Sequence, residues 1–451
     1  MVLNWFDGYE NPMNFTEAVA YLYARGHELA AMKLGLERIA ALTQAFAQPQ
    51  SRYPIAQIAG TNGKGSTAAM TAAIAQAAGL KTGLFTSPHL VEITERICVN
   101  GVQIAPDDFA RLATSVRDAG AQLMATGVLA DEPSLFEQIT MIALLYFAEQ
   151  RVDVAVLEVG LGGRFDATTI CTPTVTAITP IAFDHMRLLG NTLAAIAGEK
   201  AGIIKPGVPL VVAQQPDEAL GVIQQRAAEL NAPVISVAEE LRAATLFQTE
   251  ALTLGQYRIR YRSRRTQYDA VLNLRGKHQV DNALVAIHLA EQLQDAGVAI
   301  SAQAIVTGLE RAEWPGRLQL LQIAGVPVLL DGAHNPAGAQ VLREFLAEHC
   351  ADKPLTLLFG AMADKAVDEI IPLLFPLAER VVLAKVNNPR AAEPQAMADL
   401  AREFPGELIC VSDVADAFAT ALRVTPPGGL VCVCGSLFLL GELAPHLTAY
   451  Q

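Results

Sequence analysis

The stretch Ala59-Gly60-Thr61-Asn62-Gly63-Lys64-Gly65-Ser66-Thr67 joins an apolar run, Ile55 to Ala59, to an alanine-rich helical pattern. When a strand is followed by a glycine-rich loop and then by a helix, the backbone N–H groups of the loop and of the helix N-terminus point toward one position. A phosphate group binds well at such a position. Lys64 adds a point charge for the β- and γ-phosphates of a nucleotide. The predicted phosphate-binding residues of this loop are Thr61, Asn62, Gly63, Lys64, Gly65 and Ser66.

The spacing of this loop departs from the usual phosphate-binding pattern. That pattern is G-x-x-x-x-G-K-[ST], whereas this chain has G-x-x-G-K-G-S. Gly65 stands where a hydroxyl would normally hold Mg²⁺, so another residue has to supply that ligand. Ser87, two residues after the apolar run Lys81 to Phe85, is the candidate. The alternative is an ordinary glycine turn with a solvated lysine.

Composition excludes several classes of function. The chain has 451 residues, enough for two or three domains, and its net charge of −13 comes without a lysine- or arginine-rich block. Nucleic acid is therefore not expected as a ligand. Met1 to Pro12 lacks the apolar core of a signal peptide, and Leu430 to Leu440 is too short to span a bilayer. The six cysteines show no zinc spacing. We expect a cytoplasmic protein that handles small molecules and has no membrane partner.

Apolar strand-like runs alternate with helical patterns along the chain, which predicts an α/β fold with a mostly parallel sheet covered by helices. Residues 246–274 instead contain short β-type runs with several arginines, a pattern typical of an antiparallel segment. After Trp314-Pro315-Gly316-Arg317 a second, smaller α/β series of the Rossmann-like kind follows. The predicted domains are residues 1–311 and 312–451. The predicted strands are Ile55 to Ala59, Lys81 to Phe85, Val152 to Val159, Thr174 to Thr179 and Val208 to Val212, then Val326 to Leu330, Leu355 to Phe359, Val381 to Ala384, Leu408 to Val411 and Leu430 to Val433.

Polar groups cluster where these strands end, which is where open α/β sheets bind their ligands. Glu158 closes a buried-looking strand and could hold Mg²⁺ beside the phosphates, or it is simply a surface glutamate. Asp184-His185 follows the next strand. This dipeptide is either part of a metal site or an ordinary turn. Asp331 suits ribose hydroxyls, or it caps a helix that starts near Pro336.

In combination and in this order, a set of motifs resembles the folylpolyglutamate synthases and dihydrofolate synthases of the Mur ligase superfamily. Besides the phosphate loop, the matching stretches are Leu34-Gly35-Leu36-Glu37-Arg38, Thr86-Ser87-Pro88-His89-Leu90, Glu158-Val159-Gly160-Leu161-Gly162-Gly163-Arg164, Asp184-His185, Gly198-Glu199-Lys200-Ala201-Gly202-Ile203, Trp314-Pro315-Gly316-Arg317, Asp331-Gly332-Ala333-His334-Asn335-Pro336 and Val433-Cys434-Gly435-Ser436.

The resemblance implies an ATP-dependent amide ligase. ATP would phosphorylate a carboxylate of the folate substrate, and the amino group of glutamate would attack the acyl phosphate. Such chemistry relies on positioning and charge neutralisation. The implied catalytic residues are Lys64, Glu158, His185 and Lys200. Ser87 and Glu158 would hold one Mg²⁺ and His185 a second, with K⁺ as a further candidate ion. The family's lysine at position 200 is carbamylated (N6-carboxylysine), although Glu199-Lys200 reads equally well as a surface pair.

The resemblance also assigns the substrate contacts. Phe136 could stack on a pterin ring or could simply begin a helix core. Thr169 and Ala366 depart from common family residues, which leaves the preferred folate undecided. The implied nucleotide contacts outside the phosphate loop are Asn282, Arg317, Asp331 and His334. The implied folate contacts are Ser134, Leu135, Phe136, Glu137, Phe165, Asp166 and Ala167.

Two other functions are weighed against this one. A peptidoglycan-building Mur ligase would carry a nucleotide-sugar domain ahead of the phosphate loop, whereas 59 residues precede Gly60, and it would have Ser or Thr in place of Gly65. A non-catalytic nucleotide-binding regulator would be expected to have lost some of Lys64, Glu158, His185 and Lys200, and all are present. The expected partners are therefore ATP, glutamate and a folate or dihydropteroate, bound by a monomer.

Overall fold

The computed structural model describes residues 12–25 and 35–447. Residues 1–11, on which the expected lack of a signal peptide rests, lie outside the described residues. So do Leu34 of the first quoted motif and the end of the predicted second domain after residue 447.

The first sheet has eight strands in the order β4-β3-β2-β5-β1-β6-β7-β8. All neighbours are parallel except along the β2-β3-β4 edge, where the pairing is antiparallel. β1 lies between β5 and β6, and every residue of β1 and β5 is buried, as expected for strands covered on both faces. The strands are β1 (Ile55–Ala59), β2 (Thr82–Phe85), β3 (Ile97–Val99), β4 (Val102–Gln103), β5 (Val154–Glu158), β6 (Val175–Ile178), β7 (Leu210–Val212) and β8 (Val234–Ser236).

Helices cover both faces of this sheet. On one face α3, α10 and α11 form a single apolar cluster with β1 and β5. Gly308 of α11 lies so close to α3 that a Cβ on it would be 2.4 Å from the Cα of Ile74, so the two helices touch at backbone level. The helices up to this point are α1 (Phe15–Tyr23), α2 (Glu37–Ala45), α3 (Lys64–Ala77), α4 (Pro106–Ala125), α5 (Leu135–Gln150), α6 (Met186–Leu189), α7 (Leu193–Lys200), α8 (Asp217–Glu229), α9 (Val237–Ala243), α10 (His278–Asp295) and α11 (Ala302–Arg311).

A small antiparallel sheet confirms the β-rich segment predicted for residues 246–274. It consists of β9 (Phe247–Ala251), β10 (Tyr257–Arg262) and β11 (Gln267–Val271) in the order β11-β10-β9. The buried face of β10 and β11 carries Tyr261 and Tyr268, which meet His288 and Glu291 of α10. This polar network ties the small sheet to the helix behind the phosphate loop.

The third sheet has six strands in the order β12-β13-β17-β14-β15-β16. It is parallel apart from β12, an antiparallel edge strand that the sequence pattern did not predict. Its strands are β12 (Gln319–Ile323), β13 (Val326–Leu330), β14 (Leu355–Phe359), β15 (Arg380–Ala384), β16 (Glu407–Val411) and β17 (Leu430–Cys434). Its helices are α12 (Pro336–His349), α13 (Val367–Leu374), α14 (Pro394–Leu400), α15 (Val414–Val424) and α16 (Leu437–Leu447).

The predicted fold class is confirmed, and the ten predicted strands are all present with ends shifted by at most two residues. The exact boundary at residue 312 stays a prediction. None of the helices in the described ranges combines the length and the apolar character that a bilayer crossing needs.

Candidate active site

The loops that follow β1, β2, β5 and β6 meet at the carboxyl edge of the first sheet. Glu158 ends β5 and pairs with Ile58 of β1. Thr61 of the β1 loop and Ala182 of the β6 loop hydrogen-bond to each other. The polar residues that the sequence placed at strand ends therefore do converge on one edge, as expected for this architecture.

The phosphate loop has the conformation that the glycines predict. Gly60 has φ +147°, and a Cβ there would lie 1.8 Å from Thr179 Oγ1; Gly63 has φ +88° and lies against Asn282. Helix α3 begins at Lys64 without a side-chain cap, so the N–H groups of its first turn are free for an anion. Lys64 is half-buried and its Nζ donates to Thr61 O at 3.1 Å, rather than standing in solvent. Burial lowers the pKa of Lys64, against the opposing charge of Glu158.

Glu158 is a buried carboxylate, so the alternative of a surface glutamate is wrong. Its side chain is 4% exposed and accepts the Ser87 N–H at 3.2 Å. Burial raises the pKa of Glu158, and the charge of Lys64 opposes that shift. Ser87 Oγ is itself buried and has no hydrogen-bond partner. A buried carboxylate next to an unpartnered hydroxyl fits a hard cation such as Mg²⁺, because both ligands are oxygen.

Asp184 is one of the residues through which the two halves of the chain contact each other. Its Oδ1 accepts from Lys365 Nζ at 2.6 Å, and its Oδ2 accepts from Asn335 Nδ2 at 3.1 Å and lies 3.5 Å from His334 Nε2. Burial alone would raise the pKa of Asp184, but the hydrogen bond with His334 and the charge of Lys365 bring it well below its usual range. Burial lowers the pKa of His185 to about 4, so its ring is neutral at pH 7 and can offer a lone pair.

Within the part of the chain that the structure describes, no three His, Cys, Asp or Glu side chains converge on a metal-sized site. The predicted ligands, Ser87 and Glu158 for one ion and His185 for a second, are too few to form a closed protein cage. Mg²⁺ commonly keeps several waters and uses one or two protein ligands together with substrate phosphates, so an open set of this kind suits it.

Lys200, at the end of α7, is deeply buried, so the alternative of a surface pair is wrong for this residue. Its side chain is 4% exposed and Nζ donates to Gly60 O at 2.7 Å. Burial, followed by the nearby charge of Lys64, lowers the pKa of Lys200 to about 7. A lysine that is about half neutral near pH 7 can act as a nucleophile.

The predicted nucleotide contacts lie on both sides of the domain boundary. Asn282 is buried on α10, donates to Gln279 Oε1 at 2.9 Å and faces Gly63. Asp331 accepts from the N–H groups of Leu318 and Ala333 at 3.0 and 2.9 Å and lies beside Arg317. The alternative that Asp331 caps a helix is wrong.

The cap of α12 is Asn335, whose Oδ1 accepts from Gly338 N at 2.8 Å. His334 hydrogen-bonds to Gly332 O through Nδ1 at 2.8 Å, which aims its Nε2 at Asp184. His334 therefore belongs to the network around Asp184, at the edge of the phosphate loop.

Several predicted folate contacts have clear roles in the fold. Ser134 and Glu137 form a capping box at the start of α5, and Glu137 also pairs with the buried Arg38 at 3.0 Å. Asp166 accepts from the N–H groups of Gly160 and Leu161 at 2.9 and 3.0 Å, which fixes the loop after β5.

The remaining predicted folate contacts differ in exposure. Phe136 packs its ring on Gly160, where a Cβ would lie 2.5 Å away, and on Phe85 at 5.9 Å between centroids. Leu135 and Ala167 are buried, whereas Phe165 is 39% exposed. Phe136 and Phe165 are therefore the two members of this set with aromatic surface close to the Gly160 loop.

Four functional candidates escaped the sequence reasoning. Trp314 lies against Gly65, where a Cβ would be 2.8 Å from its Nε1, so the ring excludes the usual Ser or Thr at that position. Gln279 donates to Ser66 Oγ at 3.3 Å. Asn335 and Lys365 both reach Asp184. Trp314 and Asn335 lie inside quoted motifs, so motif membership was the signal available for them.

Comparison with known proteins gives consistent matches over most of the chain. The Mur ligase middle domain family matches residues 58–290, and the Mur ligase glutamate ligase domain family matches residues 316–437. The dihydrofolate synthase/folylpolyglutamate synthase of Bacillus subtilis is 37% identical over 419 residues, which is 92% of this chain and 95% of the relative.

Two solved structures share the whole architecture. Mycobacterium tuberculosis folylpolyglutamate synthase complexed with ADP and AMPPCP has a TM-score of 0.86 and 32% identity, covering 95% of this chain and 99% of that one. E. coli FolC in complex with DHPP and ADP has a TM-score of 0.83 and 26% identity, covering 98% of each chain.

Proposed function

The chain belongs to the Mur ligase family, among the folylpolyglutamate and dihydrofolate synthases, and we propose that it uses ATP to join L-glutamate to a folate by an amide bond. The observation that carries this proposal is the buried pair of Glu158 and Ser87 beside Lys64 at the phosphate loop. A site with free helix N–H groups, one lysine and oxygen ligands for a hard cation suits phosphoryl transfer.

The first step is transfer of the γ-phosphoryl group to a carboxylate of the folate. A carboxylate oxygen bonds to the γ-phosphorus of ATP, the bond from that phosphorus to the β–γ bridging oxygen breaks, and ADP leaves. The first turn of α3 and Lys64 hold the phosphates, and Lys64 balances the negative charge that develops on them. Ser87 and Glu158 would hold one Mg²⁺ and His185 a second. When bound, such ions neutralise phosphate charge. Because Glu158 is shielded from water, its attraction for a cation at this site would be screened less than that of a surface carboxylate.

The second step is attack of the glutamate amine on the acyl phosphate. The neutral amine forms the new C–N bond at the carbonyl carbon, the C–O bond to phosphate breaks, and inorganic phosphate leaves. The nitrogen loses one proton to become neutral and a second after attack, and it keeps the third as the amide N–H. Asp184, held by Lys365 and Asn335, keeps the second domain against the phosphate loop while this happens. A closed arrangement protects an acyl phosphate from hydrolysis by water.

Lys200 is proposed to be carbamylated. Its neutral Nζ adds CO₂ and releases one proton, which replaces a cation by an anion that could lie beside the second Mg²⁺. The burial of Lys200 and its lowered pKa support this chemistry, because a protonated amine cannot attack CO₂. On the family resemblance we further propose two Mg²⁺, with K⁺ as a candidate ion, a monomer and a cytoplasmic location.

A phosphate-release assay tests this function. Dihydropteroate, tetrahydrofolate and methylene-tetrahydrofolate are each supplied with ATP and Mg²⁺, with and without L-glutamate, and Lys64→Ala serves as the inactive control. Turnover is expected to require a pteridine substrate and glutamate together. Equal phosphate release with D-alanine or with a UDP-muramyl substrate would contradict the folate assignment.

A further inference from the structure

One loop touches both the phosphate site and the second domain. We call residues 86–92, which follow β2, the bridging loop. Near its start the Ser87 N–H donates to Glu158, and three residues later Leu90 packs against the apolar core of the second domain. A residue of the first domain thus belongs to the hydrophobic cluster of the other.

Leu90 contacts the second domain at two glycines, Gly441 and Gly316. A Cβ at Gly441 of α16 would lie 1.9 Å from Leu90 O, so this helix can approach the loop only because it has glycine there. A Cβ at Gly316 would lie 3.7 Å from Leu90 Cδ1 and 2.9 Å from Leu440 Cδ1. The contact is therefore close at both the backbone and the side chain of Leu90.

The bridging loop is rigidly braced between its two ends. The N–H groups of residues 90–92 donate to the Glu95 carboxylate at 2.7, 2.9 and 2.8 Å. His89 Nδ1 accepts from Arg96 Nε at 2.8 Å, and Thr86 N donates to Arg96 O at 3.0 Å. Because the N–H groups of residues 86, 87 and 90–92 are all hydrogen-bonded, we expect the loop to move as one body, so that a displacement of Leu90 is passed on to Ser87.

We propose that Leu90 is a positioning residue that couples seating of the second domain to the placement of Ser87 opposite Glu158. The oxygen pair at the phosphate site is then correctly spaced only when the second domain is docked. Asn335 of the second domain also contacts Asn62 and Asp184 beside the phosphate loop. The second domain therefore docks on the first through two separate contacts, that of Leu90 and that of Asn335. The kinetic test of this inference rests on the proposed function, because it measures kcat and KM of the folate reaction.

The test compares two leucine truncations. Leu422, on α15, packs against the same apolar cluster as Leu90 but belongs to the second domain itself. Leu90→Ala is expected to lower kcat by about a hundred-fold while KM for ATP stays within about threefold, since a misplacement of about 1 Å near reacting groups has that effect. Leu422→Ala should lower thermal stability with kcat close to wild type, and Leu90→Met should restore most of the lost kcat.

Hydrogen exchange supplies a readout that does not depend on turnover. In Leu90→Ala, amides of residues 84–96 and 437–447 should both exchange faster, whereas Leu422→Ala should affect the second domain alone. Loss of kcat in both variants to the same extent, or unchanged exchange at residues 84–96 in Leu90→Ala, would overturn the coupling. If the wild type itself does not turn over folates, the proposed function has failed, and the exchange data still decide the coupling.

Discussion

Substitutions of Lys200 can show whether this residue acts as a carbamylated, negatively charged group or as an unmodified cation. Lys200→Ala should be inactive and should be partly rescued by acetate, because the missing group is negative. Lys200→Arg should stay inactive, since arginine keeps its charge and cannot be carbamylated. Full activity in Lys200→Arg would refute the carbamate and leave a cation as the requirement.

The structure gives the size of the effect. With a pKa of about 7 instead of 10.5, roughly half of the Lys200 amine is neutral at pH 7, against about one molecule in three thousand for a solvated lysine. The form able to attack CO₂ is thus enriched on the order of a thousand-fold. Because the folded pKa lies below the unfolded value, the unmodified protein gains stability as pH rises from about 7 to 10.5. Below pH 7 the neutral fraction falls, and carbamylation should fall with it.

The assay strips CO₂ at low pH and measures turnover in CO₂-free buffer before and after bicarbonate is added. Activity should be low and then recover, with a carbamate carbon signal appearing by NMR in protein treated with labelled bicarbonate. Lys205 is the matched control, since it is also partly buried and donates to a backbone carbonyl, Thr169 O, at 2.7 Å. Lys205→Ala should show no acetate rescue and should keep the bicarbonate response. Activity that is independent of bicarbonate, with no carbamate signal, would contradict the reasoning.

Three further variants test other parts of the site. Glu158→Ala should cost about 3–4 kcal/mol in the barrier, a hundred- to thousand-fold in kcat, with the fold intact by circular dichroism; more than a tenth of the activity at saturating Mg²⁺ would refute its role. Asn335→Asp keeps the helix cap but places a second carboxylate beside Asp184, so the melting temperature should hold while kcat/KM falls about tenfold, or about 1.4 kcal/mol; unchanged kcat/KM would show that this contact is unimportant. Phe136→Leu should raise KM for dihydropteroate about two- to tenfold if the ring stacks on the pterin, through a loss of about 0.5–1.5 kcal/mol, while KM for ATP stays constant; equal changes would favour a role in the helix core.

The conformation of the loop after β1 and the sheet edge where the polar residues meet could be predicted from the sequence, because their signals are local or follow from the strand topology. An apolar run, glycines with special backbone angles and a helical pattern occur within about twenty residues, and strand ends in a parallel sheet share one edge by topology. Glu158 was named from its place at a strand end, whereas Lys200 was named from the family resemblance alone. The burial of both side chains was visible only in the structure.

Contacts between distant parts of the chain were beyond sequence reasoning. Lys365 and Asn335 lie 181 and 151 residues from Asp184 in the sequence. No local sequence pattern predicts their hydrogen bonds to Asp184. Trp314 explains Gly65 only after folding brings them together. At Ser134 and Glu137 the sequence also carried a local S-x-x-E capping signal, which the structure shows to be used, and their assignment as folate contacts stays a prediction.

The central claim is that the folate carboxylate is phosphorylated before glutamate attacks it. The direct measurement uses a substrate whose reacting carboxylate carries the heavy isotope of oxygen in both positions, with unlabelled ATP and L-glutamate. One labelled oxygen should appear in each released phosphate and the other should stay in the amide carbonyl, because the C–O bond to phosphate breaks. Phosphate without label, with product still formed, would contradict the acyl phosphate and with it the proposed mechanism.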